Sequence, residues 1–115
     1  MSDNCLFCKI VSGEVPADIV FEDSFSMAFR DINPQAPTHV LFIPKEHISS
    51  IADTNPSHKD VLGHMLLKAA EFAKDSGFSE NGYRIVINTN EDGGQTVFHL
   101  HIHLLGGRKF TFPPG

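Results

Sequence analysis

The chain has 115 residues and a formal net charge of -5 at pH 7. This length predicts one domain, residues 1–115, and the acidic balance argues against a surface that binds nucleic acid. No basic and apolar signal segment opens the sequence, and no apolar run approaches the roughly 20 residues that span a bilayer, so we expect a cytoplasmic protein that does not contact the membrane.

The cysteine pair near the start is the first feature with possible chemistry. Cys5 and Cys8 are the two cysteines of the chain, spaced Cys-x-x-Cys. They do not make a disulfide framework, and a metal site would need two more ligands. A redox pair usually opens a helix after a strand, whereas few residues precede Cys5. The residues alone therefore allow three interpretations: a redox pair, half of a metal site, or two small apolar side chains.

The segments after the cysteines alternate between strand and loop patterns. In chain order, the patterns predict strands at 15–24 and 24–32, a loop with two prolines at 31–39, a strand at 38–44 and a short helical turn within 45–53.

One long helix follows. Asn55 is a plausible N-cap, Pro56 suits the first helical position, and Gly77 ends the run. Apolar residues recur at helical spacing and predict the buried face: Val61, Leu62, Met65, Leu66, Ala69 and Phe72. We expect His58 and His64 to be ordinary surface residues on or beside the other face.

The last part of the chain predicts a strand at 82–89, a turn at 90–95 and a strand at 96–105. Strands joined by short turns, with a single long helix after the third strand, indicate an α+β fold. We therefore expect an antiparallel β-sheet meander with one long helix and a short helix.

The final strand contains a row of histidines. His99, His101 and His103 alternate with Leu100 and Ile102, so the imidazoles should share one face of the strand. Residues two apart in a strand are about 6.5 Å apart, which makes it awkward for one zinc ion to bind all three side chains. Three explanations are open: ordinary surface or partly buried groups that have hydrogen-bond partners, a metal site, and chemistry on an extended anion.

Phosphate chemistry suits this row of imidazoles best. Histidine titrates near neutrality, and one ring nitrogen can attack phosphorus while a hydrogen bond orients the other. Neighbouring donors can stabilise charge on the phosphate oxygens. The "GGQT" turn at 93–96 leads directly into the strand, and its glycines would let backbone N–H groups approach an anion.

The sequence resembles the histidine triad (HIT) superfamily, whose signature alternates three histidines with apolar residues. The resemblance runs from about Cys5 to Gly115 and includes "DINPQAPTHVLFIPKEHIS" (31–49) and "GGQTVFHLHIHLLGGRKFTFPPG" (93–115). It is closest to the branch of histidine triad nucleotide-binding proteins that act as purine nucleoside phosphoramidate hydrolases. The resemblance implies a HIT-like fold and a homodimer with joined sheets.

The resemblance also implies residue roles. His101 would be the nucleophile that forms a nucleotidyl-imidazole intermediate, while His103 and His99 would donate to phosphate oxygens or orient it, with His39 in support. The implied nucleotide-binding residues are Asp31 for the ribose, Asn88, Gln95 and Thr96 for the phosphate or leaving group, and Leu6, Phe7, Phe29 and Ile32 for the base. The sequence departs mildly from the family pattern at two positions: Thr96 stands where many relatives have Ser, and Phe112 stands where close relatives often have Trp.

Several bacterial relatives bind zinc through a matching set of ligands. That resemblance implies a structural Zn²⁺ on Cys5, Cys8, His47 and His99, with no organic cofactor. If His99 binds the ion, it cannot freely donate to a substrate. The alternative is a pair of reduced thiols with a free His99.

The expected function is hydrolysis of the P–N bond of adenosine 5'-monophosphoramidate or a similar purine nucleotide, giving AMP. Three alternatives stay open: a dinucleoside polyphosphate hydrolase of the same superfamily, a nucleotide-binding or scaffolding protein without catalysis, and a metal-handling protein. "LLGGRK" at 104–109 fits the phosphoramidate branch better than the polyphosphate branch, which tends to have Pro-Arg there.

Overall fold

The computed structural model describes residues 4–115, which form an antiparallel sheet with helices packed on its two faces. The elements are α1 (Leu6–Val11), β1 (Ile19–Glu22), β2 (Ser26–Arg30), β3 (Thr38–Pro44), 3-10 turns at Ile51–Asp53 and Pro56–His58, α2 (Lys59–Asp75), β4 (Tyr83–Val86) and β5 (Ile102–Gly106). The predicted α+β class with one long helix is confirmed, and the short helical turn predicted within 45–53 is the 3-10 turn at Ile51–Asp53. In the described part of the chain, no helix has the length and apolar character needed to cross a membrane.

The strand order explains how the histidine segment reaches the middle of the sheet. The order is β1-β2-β3-β5-β4, and all neighbours are antiparallel. The first three strands form the predicted meander. The connection through α2 then carries the chain past one strand position to β4 at the edge, so that β5 returns between β3 and β4. β5 is therefore paired on both sides.

The main hydrophobic core lies between α2 and one face of the sheet. Side chains on alternate strand positions pack against the buried side of α2, in a cluster that includes Val40, Phe42, Met65 and Ala69, all fully buried. Removing a large side chain from such a site costs about 2–5 kcal/mol, because a cavity remains where the side chain was. The core on this face therefore stabilises the sheet that supports the opposite face.

The opposite face carries α1. Phe7 and Ile10 of this helix pack on Met27, Phe29 and Leu41, whose side chains alternate with those of the main core. α1 was not predicted from the sequence, because its six residues, which include β-branched Ile10 and Val11, give a weak helical pattern. The local signal was the cap, since the Cys5 side chain accepts a hydrogen bond from the Cys8 N–H.

The predicted α2 is confirmed. The Asn55 side chain caps the Ser57 N–H, Pro56 opens a 3-10 turn that continues into the helix, and Gly77 follows the helix with a φ of 88°. Leu66 was predicted to be buried but is 41% exposed, because the core-facing stripe is centred on Met65 and Ala69.

The strand at 38–44 agrees with its prediction, whereas the other strands are shorter than predicted. The histidine strand was predicted over 96–105, but its strand pairing begins only at Ile102. The cause is that the potential partners are already occupied. The Pro44 carbonyl accepts a hydrogen bond from the His99 ring, and the Leu100 N–H donates to Ile48 instead of β3. His99 and His101 therefore lie in an irregular segment just before β5.

Two glycines provide a matched test of this packing. A Cβ at Gly106 in β5 would lie 2.5 Å from the ring of buried Phe78, whereas a Cβ at Gly63 in α2 would meet no atom within 4 Å. Gly106→Ala should lower the free energy of unfolding by about 1–3 kcal/mol through overpacking. Gly63→Ala should raise it by roughly 0.5–1 kcal/mol through helix propensity. Urea unfolding followed by circular dichroism measures both, and shifts of equal sign would contradict the packing described here.

Candidate active site and metal centre

A cavity of about 690 Å³ opens beside α1, on the face of the sheet opposite the main core. It brings together eight of the predicted site residues: Leu6, Phe7, Phe29, Asp31, Ile32, Thr96, His101 and His103. The walls are apolar near α1 and the end of β2, and polar where the histidines and Asp31 meet. A pocket with one apolar end and a few convergent polar groups is typical of a small-molecule site.

His101 is held by two contacts inside this cavity. Its ring packs edge-on against Phe7, with centroids 5.2 Å apart, and its Nδ1 lies 2.8 Å from the carbonyl oxygen of His99. Because a carbonyl can only accept, Nδ1 must donate. In the neutral ring Nε2 then keeps its lone pair, which is the form that an imidazole nucleophile requires.

A chain of hydrogen bonds orients His103. The Gln35 N–H donates to Nδ1 of His39, so the proton of neutral His39 is on Nε2, which donates to Nδ1 of His103 over 2.9 Å. The second nitrogen of neutral His103 therefore carries its N–H. Asp31 lies at the side of this chain, with Oδ2 3.4 Å from His39 Nε2 and Oδ1 accepting from the Asn33 N–H.

Burial keeps this pair of histidines neutral. The pKa of His103 is lowered to about 4, mainly by loss of solvent and in part by the nearby His101 and His39, while the Asp31 carboxylate opposes the shift. Burial also lowers the pKa of His39, and Asp31 again opposes the shift. Neutral imidazoles at pH 7 are what the hydrogen-bond chain needs, since protonation would remove both acceptor nitrogens.

His99 faces away from the cavity. Its ring is fully buried, its Nε2 donates to the Pro44 carbonyl over 2.9 Å, and its Nδ1 points at the cysteine pair. Burial lowers its pKa to about 4, partly offset by the hydrogen bond to Pro44. Both ring nitrogens of His99 are thus committed outside the cavity, and only its carbonyl touches His101.

The four predicted metal ligands come together. Cys5 Sγ, Cys8 Sγ, His47 Nδ1 and His99 Nδ1 all lie within 4.8 Å of one another. The two nitrogens are 3.2 Å apart, and three nitrogen–sulfur distances are 3.3, 3.4 and 3.5 Å. Tetrahedral bonds of about 2.0–2.1 Å to nitrogen and 2.3 Å to sulfur would give separations of about 3.3 and 3.6 Å. These residues could hold a metal ion.

The two predicted amide residues have structural partners. The Gln95 side chain donates to the Ser49 and Val97 carbonyls and accepts from the Asn90 N–H, and the Asn88 amide donates to the Gly93 carbonyl. Both therefore shape the turn before the histidines, and neither lines the cavity, whereas Thr96 does.

The glycines of "GGQT" are explained by the same turn. A Cβ at Gly93 would overlap the backbone of Thr89, and Gly94 has a φ of 81°, which favours glycine. Their presence follows from the shape of the loop, so they do not by themselves indicate an anion site.

Sequence reasoning missed part of the cavity wall. Ile10, Val15, Pro16, Ala17, Leu41 and Val97 also line it. The stretch around Pro16 was predicted as the start of a strand, and the proline, which lacks an N–H, was the available signal against that assignment.

The other helical histidines lie outside the cavity but are not simply solvated. His58 completes a capping box with Asn55, and His64 pairs with Asp23 in the turn between β1 and β2. Hydrogen bonds from His64, Phe25 and Ser26 outweigh the effect of burial and lower the pKa of Asp23 to about 2. These contacts join the β1–β2 turn to α2.

Comparison with known proteins shows which family the chain resembles in sequence and in fold. The HIT domain family model matches residues 12–110. A purine nucleoside phosphoramidase of Escherichia coli (strain K12) is 49% identical over 108 residues, covering 94% of this chain and 91% of that protein. The crystal structure of a HIT family hydrolase from Legionella pneumophila Philadelphia 1 is 57% identical with a TM-score of 0.96, covering 97% and 100% of the two chains. A zinc-bound histidine triad family protein from Mycobacterium smegmatis is 34% identical with a TM-score of 0.82, covering 97% and 83%.

Neutral His103 makes a testable contribution to stability. Its pKa is lowered from 6.5 to about 4 in the folded chain, so the unfolded chain binds more protons between these values. The contribution is therefore complete above about pH 6.5 and is lost as the pH falls toward 4, at up to about 1.4 kcal/mol per pH unit. We expect His103→Gln to flatten this part of the profile. Urea unfolding at several pH values, with a chelator present to exclude metal release, measures it, and equal slopes in both proteins would count against a buried neutral ring.

Proposed function

Since the chain belongs to the HIT domain family, whose relatives include hydrolases, we propose that it is a purine nucleoside phosphoramidase. It would hydrolyse the P–N bond of adenosine 5'-monophosphoramidate, or of a similar purine nucleotide, to give AMP. The observation that carries this proposal is the 2.8 Å hydrogen bond from His101 Nδ1 to the His99 carbonyl, which leaves Nε2 of a cavity-lining imidazole available for attack.

The cavity suits a nucleotide in one orientation. The purine base would lie in the apolar end, against Leu6, Phe7, Phe29 and Ile32, of which Ile32 is fully exposed and would be covered by the base. The ribose hydroxyls would donate to Asp31, since a carboxylate has lone pairs left after its bond from Asn33. The phosphorus would then lie beside His101 and His103.

The reaction has two steps. His101 Nε2 attacks phosphorus, the P–N bond breaks, and the amine leaves with a proton taken from solvent, giving a nucleotidyl-histidine. Water then attacks the same phosphorus and loses a proton to solvent, which breaks the P–N bond to His101, releases AMP and restores the imidazole. His103, whose Nδ1 is taken by His39, would donate from its other nitrogen to a phosphate oxygen, and the Thr96 hydroxyl would donate beside it.

His99, Gln95 and Asn88 act indirectly in this proposal. The carbonyl of His99 fixes the tautomer of His101, while Gln95 and Asn88 hold the turn that delivers the nucleophile. In this proposal metal binding and catalysis do not compete for the His99 ring, because that ring is not needed at the phosphate.

The metal centre is proposed to hold a structural Zn²⁺. A closed set of two thiolates and two imidazoles leaves no open position for substrate, which is the pattern of structural zinc sites. The ion would supply rigidity by linking α1 to His47 and to the segment that carries His101. No organic cofactor is part of the proposed reaction.

A homodimer with joined sheets is part of the proposal. β4 ends the strand order, so one of its backbone edges is available for pairing with a second copy. In the tail, the Thr111 carbonyl accepts a hydrogen bond from Arg84, and the next residue, Phe112, is 84% exposed. Such a tail could reach the site of a partner subunit.

Replacing the nucleophile tests the reaction. His101→Ala should lower AMP release from adenosine 5'-monophosphoramidate by more than the ~10²–10⁴ that a general acid or base contributes. Chromatography measures the AMP, circular dichroism checks folding, and His64→Gln, which alters a histidine outside the cavity, should stay close to the parent rate.

Near-normal release by His101→Ala would rule out the covalent step. Faster hydrolysis of diadenosine polyphosphates than of the phosphoramidate would move the protein to the polyphosphate branch. Binding of AMP without turnover of either substrate would leave a nucleotide-binding protein.

Metal analysis tests the zinc site separately. The purified protein should contain about one zinc ion per chain, and Cys8→Ser should lose most of it because a neutral hydroxyl replaces a thiolate ligand. His58→Gln is the matched control, since this histidine bonds to Asn55 and Glu46 outside the cluster. Equal zinc in the Cys8 variant and the parent would contradict the assignment.

A further inference from the structure

We propose that the Cys5–Cys8 pair is a site of reversible oxidation, at which a peroxide converts both metal-bound thiolates into a disulfide, releases the ion and loosens the nucleophile. This inference rests on the proposed zinc site and does not depend on which substrate the enzyme hydrolyses. It concerns a modification of the metal ligands that the hydrolytic reaction does not use.

The two sulfurs are close enough to react with each other. Both lie near a single atom, since His99 Nδ1 is 3.3 Å from Cys5 Sγ and 3.5 Å from Cys8 Sγ. The four ligand atoms all lie within 4.8 Å of one another. Cβ atoms three residues apart on a helical turn are about 5–6 Å apart, and a disulfide requires about 3.5–4.5 Å. A small movement at the start of α1 therefore closes the bond.

The cluster is accessible from one side. His47 is exposed and both cysteines are partly exposed, whereas His99 at the back is fully buried. A small oxidant such as hydrogen peroxide can thus reach the sulfurs without passing through the nucleotide cavity.

The reaction balances as a two-electron oxidation. The two thiolates, hydrogen peroxide and two protons give one disulfide and two water molecules, with the sulfurs oxidised and the peroxide O–O bond reduced. The disulfide sulfurs no longer carry the negative charges that bind the ion. Two imidazoles remain, which are too few to retain it in a closed site.

The loss of the ion would affect His101 through His99, which belongs to the metal cluster and contacts the nucleophile. The carbonyl of His99 accepts the Nδ1 proton of His101, and the segment before Ile102 lacks strand pairing to β3. This segment is held by the His99 contacts, by Leu100 bonding to Ile48 and by the Gln95 side chain. Removing the metal bond takes away one of a few restraints on the position and tautomer of the nucleophile.

Peroxide titration of the zinc-loaded protein tests the proposal. A chelating dye should report about one zinc released per chain as thiol titration reports the loss of both thiols, and intact mass should fall by about 2 Da. AMP release should drop by about 10²-fold, the cost of displacing a reacting group by about 1 Å. Dithiothreitol with added zinc should restore it.

Two comparison proteins separate the possible failures. His101→Ala should release zinc and form the disulfide like the parent, so the redox inference is tested even if the hydrolase proposal is wrong. Cys8→Ser should show no loss of 2 Da. Retention of zinc under peroxide, a gain of oxygen mass in place of the disulfide, or full turnover after disulfide formation would each overturn the inference, whereas a parent protein that never binds zinc would overturn the proposed metal site first.

Discussion

The buried imidazole of His99 joins three parts of the structure that the chain separates. Its Nε2 proton is bound by the carbonyl of Pro44 at the end of β3, its Nδ1 faces the cysteines of α1, and its own carbonyl accepts the proton of His101. A ring that is fully buried can be stable there only if its polar atoms have partners. The partners of this ring therefore bring the start of α1 close to the end of β3, while the backbone carbonyl of the same residue fixes the tautomer of His101.

The same principle governs the second half of the site. Nothing in the ring of His103 decides by itself which nitrogen carries the proton. The Gln35 N–H fixes the tautomer of His39, and His39 in turn fixes the tautomer of His103. Burial keeps both rings neutral, so these tautomers persist at neutral pH. Because loss of solvent shifts the pKa values of these rings downward, the cavity needs no added charge to maintain one proton arrangement at neutral pH.

The sequence could predict which residues line the site better than it could predict the local backbone structure of those residues. The alternation of histidine with Leu100 and Ile102 was enough to place those apolar residues in the main core and His101 and His103 at the cavity, but not to show that His99 is buried away from the cavity. It was not enough to locate the strand, because the pairing ends where a side chain, that of His99, takes the Pro44 carbonyl. Competition of this kind depends on residues 55 positions apart and leaves no local pattern.

α1 is a helix that the local sequence pattern could not predict. Its six residues have little helical preference of their own, and what stabilises the helix is tertiary packing of Phe7 and Ile10 on the sheet, together with a cysteine cap. The four residues that could hold a metal ion are a similar case, since spacing suggested the Cys5–Cys8 pair but only the fold brings His47 beside it. The site therefore lies on the face of the sheet that is packed by α1 and the turn before the histidines, apart from the α2 core. Changes in α1 or in that turn can alter the chemistry of the site while the sheet stays folded.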